Sequence, residues 1–357
     1  MANVDWRLFK KYLNIPKLLK SGIPEVLVQK MDSGISISSC ERRRMVKIEI
    51  PASDLVIPDG VQYSIAFDNP LLSENDVNSW NLVAKKDTLK FEFFSDSGKK
   101  VTEIRKKSKP VNFKVPLVWE LLQEFNKLDI TRIMDHLEAS ANVKDTKTEE
   151  DARINAIFFR EDGSFSINRH TASVAKGEGE KQWSLPSLDF SSVRAFIDRC
   201  DSDRTIRFED GNEYIRVGYE NFWLYLTKVI SRKPNFSFLE DSYLFEFETT
   251  VDALKSIVKW SEYNADASSY LTLAFSQEEC EFKTKYKTLG TINGINPGSS
   301  FEVSLPSKNF VNLVEYLSGS KVFLRYSHAK LDTIFNLHSL NAETGRAFDH
   351  YIQSVKM

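Results

Sequence analysis

Apolar and polar residues alternate along the chain in two patterns, one with the period of a β-strand and one with that of a helix. In the last third, a strand pattern over 244–248 precedes a helical pattern over 251–260, and three strand patterns follow. The same order returns with a strand over 301–305, a helix over 307–317 and three more strands that end at 350–356. The chain is therefore predicted to be α+β, with this third a doubled strand-helix-strand-strand-strand unit.

The middle third repeats this order. Asp162-Gly163 lies between apolar runs over 154–159 and 164–167, which predicts a hairpin. Strand 181–185 leads through Pro186 into a helix over 188–200, for which Ser187 is a suitable N-cap. At the start of this third, Pro116 and apolar residues at helical spacing over 117–125 predict a helix.

The first third has a weaker pattern. An amphipathic, basic segment over 5–20 is interrupted by Pro16, and strands are expected over 25–30, 35–39, 46–50, 63–68 and 89–94. A helix over 75–83 is also expected, and the lysine-rich run over 99–109 predicts an edge strand that leads to a linker.

One phrase occurs more than once in the chain. Residues 183–190 (WSLPSLDF) and 303–310 (VSLPSKNF) nearly match, and their prolines are 306 − 186 = 120 residues apart. A fainter copy is expected at 49–55 (EIPASDL). Copies at domain-like spacing indicate a repeated unit, so we predict three domains, over 1–110, 111–240 and 241–357.

Composition narrows the class of protein. With 41% hydrophobic and 27% charged residues, the chain has the balance of a soluble globular protein. No apolar run is long enough to span a bilayer, and the charged start lacks a signal peptide's apolar core, so a cytoplasmic location without membrane binding is expected. The net charge of −2 shows no global basic excess, but positive charge can still be concentrated on one face.

Sequence signatures of catalysis are missing. There is no GxSxG, HExxH, P-loop or CxxC motif, and Cys40, Cys200 and Cys280 lie one per third, as expected for packed, reduced thiols. The acidic pairs at 149–150 and 278–279 fall in a predicted loop and turn, which disfavours a nuclease or glycosidase. We therefore predict that the protein is not an enzyme and needs no metal or cofactor.

Several segments resemble the bacterial DNA sliding clamp, the beta subunit of the replicative polymerase. They are 154–159 (INAIFF), 183–190, the linker 228–236 (KVISRKPNF) and the tail 351–357 (YIQSVKM), and the resemblance covers about 111–357. It implies three repeated clamp domains, each a doubled βαβββ unit, with helices on the inner side of a ring and sheets outside. Two chains would close the ring head to tail. The sequence fits a divergent member of bacterial or phage origin.

The resemblance also implies a function and partners. A sliding clamp is a processivity factor that encircles duplex DNA without sequence specificity, tethers a DNA polymerase and is opened by an ATP-driven clamp loader. Contact with any DNA sequence requires basic side chains that reach phosphates. The candidate DNA-binding residues on predicted helices are Arg7, Lys10, Lys11, Lys17, Lys20, Lys127, Arg194, Arg199, Lys255, Lys259 and Lys308.

A second implied site is a shallow apolar pocket that receives a short peptide of the polymerase. Its candidate residues are Ile154, Arg169, His170, Thr171, Ala172, Pro234, Leu239, Ser354, Val355 and Met357. The turn 168–172 (NRHTA) and the tail depart from the family pattern, so the peptide preference is open.

Each group of candidates also has an ordinary structural explanation. A lysine on a helix is most often solvated, the pocket residues could be core or linker residues in any fold, and a lone His170 is more often hydrogen-bonded than catalytic. A clamp-like adaptor that forms no ring and binds only proteins is the alternative function.

Overall fold

A computed structural model describes residues 25–32, 34–41, 44–51, 62–66, 79–85, 88–95, 98–105, 118–141, 156–168, 170–177, 179, 181–228, 243–264, 270–296, 298, 300–328 and 333–354. The strands that precede the first described helix are β1 (Glu25–Met31), β2 (Gly34–Glu41), β3 (Arg44–Pro51), β4 (Gln62–Ala66), β5 (Ser79–Lys85), β6 (Thr88–Ser95), β7 (Gly98–Arg105) and β8 (Glu120–Asn126).

The remaining described elements alternate helices with groups of strands. The middle ones are α1 (Lys127–Glu138), β9 (Ala156–Arg160), β10 (Gly163–Ile167), β11 (Thr171–Lys176), β12 (Trp183–Pro186), α2 (Phe190–Asp198), β13 (Thr205–Asp210), β14 (Tyr214–Tyr219) and β15 (Phe222–Thr227). The last ones are β16 (Phe245–Thr250), α3 (Val251–Asn264), β17 (Tyr270–Phe275), β18 (Glu279–Lys283), β19 (Thr288–Asn293), β20 (Phe301–Pro306), α4 (Ser307–Glu315), β21 (Lys321–His328), β22 (Thr333–Leu340) and β23 (Ala347–Gln353).

This order confirms the predicted strand-helix-strand-strand-strand unit, which occurs four times from β8 onwards. The equivalent helices α1 and α3 also begin with equivalent backbone hydrogen bonds. The backbone N–H of Lys127 donates to Arg204 O at 3.1 Å, and that of Val251 donates to Ser320 O at 3.1 Å. The strand triplets β1–β3 and β5–β7 supply the matching parts of the first third, and the predicted helix over 5–20 lies outside the described residues.

The chain forms two compact units, residues 1–127 with 191–228 and residues 128–190 with 229–357. Each contains an eight-stranded antiparallel sheet, in the order β4-β1-β2-β3-β15-β14-β13-β8 in the first unit and β12-β9-β10-β11-β23-β22-β21-β16 in the second. The first unit also contains the sheet β5-β6-β7, and the second the sheet β19-β18-β17-β20. The units combine parts of different predicted domains, and the three-domain division stays a prediction.

Each eight-stranded sheet is joined in its middle by strands far apart in sequence. We call the pairing of β3 with β15 the first seam and the pairing of β11 with β23 the second seam. Leu224 lies opposite Val46 in the first seam, and His350 lies opposite Ser173 at the equivalent place in the second. The two seams therefore have the same topology and different residues.

Large apolar side chains fill the interior of each unit. In the second, Phe247, Leu273, Phe282, Phe310 and Leu337 are completely buried where α3 and α4 pack against strands of both sheets. In the first, Val28, Ile37, Phe208 and Leu224 are completely buried. Burial of this apolar surface is the main stabilising contribution, at roughly 2 kcal/mol for each large side chain.

The predicted helix over 117–125 is wrong for the described residues, because β8 occupies 120–126. β8 pairs with β13, and the register shifts where Gln123 lies opposite Phe208 and Leu121 opposite Glu209. Leu122 is the extra residue of this bulge. Because the bulge breaks the two-residue alternation, buried Leu122 and Phe125 are three apart, a spacing that imitates a helix.

Two other local predictions are wrong. The helix expected over 75–83 is not present over 79–83, because β5 pairs along its whole length with β6. Ser187 does not cap α2. It begins a 3-10 turn over Ser187–Asp189, and its buried Oγ has no hydrogen-bond partner among the described residues.

The third copy of the repeated phrase is also wrong. Pro186 and Pro306 end β12 and β20, and each lies opposite the first residue of its partner strand, Ala156 or Tyr270. The strand at this place in the sheet order of the first unit is β4, whereas the 49–55 segment begins in β3.

Candidate functional site

The turn and the tail that were predicted to form a pocket lie side by side at the second seam. His170, in the turn before β11, accepts a hydrogen bond on its carbonyl oxygen from the N–H of Gln353 at 3.1 Å. Thr171 and Ala172 lie opposite Ile352 and Tyr351. Asn168 Oδ1 fixes the turn by accepting the N–H groups of His170 at 2.9 Å and Thr171 at 2.8 Å.

The candidate pocket residues differ in accessibility. His170 is exposed and Ser354 is half-buried, whereas Thr171 and Ala172 are buried in β11. The Thr171 hydroxyl accepts from Ser140 Oγ at 3.1 Å, so its side chain belongs to the interior. Six candidates lie outside the described residues, or have no described side chain: Ile154, Arg169, Pro234, Leu239, Val355 and Met357.

An apolar cluster lies beside this turn, and sequence reasoning missed most of it. Its buried members are Ala156, Phe158, Phe165, Ala172, Val174 and Tyr351, with Ile167 and Ile334 packed against them. Burial raises the pKa of Tyr351, which is also hydrogen-bonded to Tyr243. The signal in the sequence is the alternation Ser164-Phe165-Ser166-Ile167, which directs serines to one face of β10 and apolar side chains to the other.

The opposite face of the second seam is polar. Ser173 Oγ lies 2.8 Å from His350 Nδ1 and 2.8 Å from Ser140 Oγ, and all three side chains are buried. His136, from α1, stacks on His350 with ring centroids 3.8 Å apart, and its Nε2 donates to the carbonyl oxygen of Asp349 at 3.1 Å. Neither histidine has ligand-like spacing in the sequence, so only the fold reveals the pair.

One stripe of α1 and the residue just beyond it bonds to the last third of the chain. Asp129, Arg132, His136 and Ala139 are spaced so that they share a helix face. Their bonds are Asp129 with Arg346 Nε at 2.9 Å, Arg132 Nε with Glu343 at 3.0 Å, His136 with Asp349 O, and Ala139 O with Asn312 Nδ2 at 2.9 Å. The second seam is therefore tied by a helix as well as by strand pairing.

Three of the predicted DNA-binding residues meet at the C-terminal end of α2. Lys127 Nζ donates to the carbonyl oxygens of Cys200 and, at 3.2 Å, Asp198. Arg194 pairs with the Asp198 carboxylate at 3.0 Å, and Arg199 is exposed beside it. Lys127 thus neutralises the negative end of the helix, and this contact occupies part of its hydrogen-bonding capacity.

The other described candidates lie on α3 and α4, two helices that contact each other. Lys259 and Lys308 are exposed, and Lys255 is half-buried one turn before Lys259. Arg7, Lys10, Lys11, Lys17 and Lys20 lie outside the described residues.

The described helices carry balanced charge. On α1, Asp129, Asp135 and Glu138 accompany Lys127 and Arg132, and on α4 Glu315 accompanies Lys308. A DNA-facing surface made of these helices would therefore hold few uncompensated positive charges. With few uncompensated positive charges, the attraction of such a surface to DNA phosphates would be weak.

No group of three or more His, Cys, Asp or Glu side chains is arranged to hold a metal ion within the described part of the chain. The three cysteines are free, and burial raises the pKa of Cys40 to about 11 and also raises that of Cys280. Among the helices that the structure describes, none is long and apolar enough to cross a membrane.

Strand-helix-triple-strand units, joined across seams into eight-stranded sheets, define the sliding-clamp fold, and the solved structures that resemble this chain have it. They include the beta subunit of DNA polymerase from Streptococcus pyogenes (14% identity, TM-score 0.78, 100% of both chains) and a DnaN sliding clamp, DNA polymerase III subunit beta, from Pseudomonas aeruginosa bound to griselimycin (10%, 0.79, 100% of this chain and 99% of that chain). The beta subunit from Thermotoga maritima is similar (12%, 0.76, 99% and 98%).

At these identities the likeness shows the fold, which confirms the predicted clamp fold class. Neither protein-family models nor curated protein sequences match the chain. This chain and these solved structures share one fold at sequence identities of only 10–14%.

Proposed function

We propose that this protein is a DNA polymerase processivity factor: a homodimeric ring, closed head to tail, that slides on duplex DNA and tethers a polymerase. The observation that carries the proposal is an unfinished third seam. Among the described residues, β19 and β7 each pair with one strand only. The order β20-β17-β18-β19 matches β4-β1-β2-β3 and β12-β9-β10-β11, whose last strands, β3 and β11, form one side of each seam. The triplet β5-β6-β7 matches the triplets that end in β15 and β23, which form the other side.

Pairing β19 of one chain with β7 of another would join the four-stranded and three-stranded sheets into a third arrangement, whose seven described strands follow the order of the two eight-stranded sheets. Unpaired strand edges expose backbone N–H and C=O groups that are suited to strand addition. An interface in which two different edges meet is heterologous, and it forms a closed ring only when the rotation per subunit closes. Two chains of three domains are the proposed closure, as in the resemblance noted from the sequence.

DNA would be held weakly and without sequence preference. Balanced charge on α1 and α4 leaves few free cations, so the basic segment over 5–20 is proposed to supply much of the phosphate contact. A ring can hold DNA topologically even when its electrostatic affinity is low. A tethered polymerase would then rebind before it diffuses away, because its effective concentration at the template stays high.

The polymerase peptide is proposed to bind beside the turn before β11 and the tail after β23, next to the apolar cluster. A clamp loader that hydrolyses ATP would open the ring, and the protein itself would act without catalysis, metal or cofactor. It would work in the cytoplasm of a bacterium, as the product of either a bacterial or a phage gene.

The test uses nicked circular duplex DNA, loaded with protein and passed through gel filtration in high salt. A ring should stay with the circle and be lost after the DNA is cut once, because a topological link slides off an end. Thr291→Pro, on the exposed edge strand β19, should abolish retention, while Thr291→Ser should keep it. Unchanged binding after linearisation, or retention by a monomer, would refute the ring.

A charge test addresses the DNA candidates separately. Lys259→Glu with Lys308→Glu should reduce retention at low salt, since both are exposed helix residues. Lys285→Glu with Lys287→Glu changes the same charge on the turn between β18 and β19 and should have little effect. If binding to proteins alone persists in all variants and no circle is retained, the adaptor function is the correct one.

A further inference from the structure

The second seam contains two enclosed imidazoles that the proposed function does not use. His136 is 3% exposed and His350 is 0% exposed. Their rings are inclined by 31° with centroids 3.8 Å apart. His350 Nδ1 shares a hydrogen bond with Ser173 Oγ, and its Nε2 has no hydrogen-bond partner among the described residues.

The surroundings offer little compensation for positive charge on this pair. Asp349, on β23, is the charged group that acts on His136, but its carboxylate lies on the opposite face of the sheet, where it is bonded to His338 on β22 at 2.9 Å and paired with Lys176 on β11 at 3.4 Å. β10 presents Ser166, which bonds to Leu137 O, and α4 presents Asn312, which bonds to Ala139 O.

The main group that faces His350 is His136 itself. Two protonated rings in contact inside the buried interior, where charge is poorly screened, would repel each other strongly.

We propose that the second seam is a proton-sensitive joint: when the imidazole pair takes up protons, α1 separates from β11 and β23 while the first seam stays closed. The comparison with the first seam supports this difference, because Leu224 and Val46 stand where His350 and Ser173 stand in the second. A leucine–valine pair does not titrate. The joint is a property of this chain's fold and does not depend on the proposed function.

The direction of the effect follows from the two protonation states. Burial lowers the pKa of His136 to about 4, although the carbonyl oxygens of Asp349 and Val174 favour its proton. Burial and the neighbouring His136 lower the pKa of His350 well below its ordinary value. An opened seam exposes both rings at about pKa 6.5, so it binds more protons between pH 6.5 and 4, and opening is favoured as pH falls through that window.

Amide hydrogen exchange, corrected for the intrinsic pH dependence, tests the proposal by region. Between pH 7 and pH 5 the opening constant for α1 and β23 should rise by roughly 20-fold per imidazole, while β3 and β15 stay protected. His350→Leu with Ser173→Val reproduces the leucine–valine pair of the first seam and removes one imidazole. The opening constant of this variant should therefore rise by only one of the two roughly 20-fold factors. His170→Gln, an exposed histidine, should leave both factors unchanged.

Imidazole resonances of the native protein give a second readout that needs no variant. In the folded protein, the two buried rings should stay neutral down to pH 5. Equal protection of α1 and β23 at both pH values, or titration of either buried ring near pH 6.5 without opening, would overturn the proposal.

Discussion

The two seams show one architectural joint built with two kinds of chemistry. We call the face of each seam that carries Leu224 or His350 its inner face, and the opposite face its outer face. In the first seam the inner face is apolar, with Leu224 opposite Val46, and the outer face holds Trp223 and Tyr225. In the second, the inner face holds histidine and serine, and the outer face encloses Asp349. Backbone pairing is the same in both, so strand register fixes the joint and side chains decide how it responds to its surroundings.

The difference also concerns how each seam can fail. An apolar seam loses stability when volume is removed, because a cavity remains in a packed interior. A polar seam loses stability when a single partner is removed, because the other partner stays buried without a bond. The comparison therefore predicts different sensitivities for equivalent positions.

The largest effect is expected from Leu224→Ala in the first seam. The side chain is completely buried, so truncation should destabilise the first unit by roughly 3 kcal/mol. Urea unfolding gives the total loss, and hydrogen exchange should place it in β3 and β15. A loss below about 1 kcal/mol would mean that this seam is loosely packed.

The next effect is expected from Asp349→Asn on the outer face of the second seam. Burial raises the pKa of Asp349, but the hydrogen bonds from His338 and Asn336 and the charge of Lys176 outweigh it, so that pKa lies below its ordinary value. The variant should lose roughly 2 kcal/mol at pH 7, because Asn336 is left buried and His338 partly buried without the carboxylate.

The pH dependence gives this prediction a sign. A carboxyl group with a lowered pKa stabilises the fold above about pH 4, and the contribution disappears as pH falls through the folded-state pKa. The difference between native protein and Asp349→Asn in urea unfolding should therefore shrink towards pH 3. A difference that stays constant from pH 7 to pH 3 would assign the loss to packing.

A smaller effect is expected from Arg346→Lys, which keeps the charge that ties α1 to the turn before β23. Arg346 bonds to both oxygens of Asp129, at 2.9 and 2.5 Å, and also to Lys176 O at 2.9 Å. Lysine cannot make this bidentate contact, so the free energy of unfolding should fall by about 1 kcal/mol. Glu343→Gln, at the more exposed pair with Arg132, is the matched control and should cost less than about 0.5 kcal/mol.

The smallest effect is expected from Arg216→Lys on the outer face beside the first seam. Its guanidinium lies 4.4 Å from the ring centre of Trp119 and 4.0 Å from that of Trp223, and it pairs with Glu209. Lysine would keep the charge and lose the stacking, at about 0.5–1 kcal/mol. The intrinsic tryptophan fluorescence should change even if the unfolding midpoint barely does; an unchanged spectrum would show that the stack is absent in solution.

Local patterns were sufficient to predict most of the fold. Asp162-Gly163 correctly predicted the hairpin between β9 and β10. The helix predicted over 251–260 and the strands on either side of it are also present. The failures have physical causes that a local pattern does not contain. The bulge at Leu122 imitated a helical spacing, and β4, not the 49–55 segment, holds the place of β12 and β20 in the first unit.

The candidate site was less predictable because it depends on contacts between distant segments. Nothing local to Thr171 indicates that its partner is Ile352, and the His136–His350 contact joins residues in predicted domains two and three. The placement of the turn beside the tail came from the family resemblance. The roles of the basic candidates and of the peptide pocket stay predictions, and the balanced charge of α1 was not foreseen.

The most direct test of the account is the native mass of the protein at micromolar concentration. If β19 and β7 complete a third seam between chains, native mass spectrometry should find a dimer, and Thr291→Pro should convert it to a folded monomer while Thr291→Ser does not. A native protein that is monomeric under these conditions, with both edges unpaired, would contradict the proposed ring.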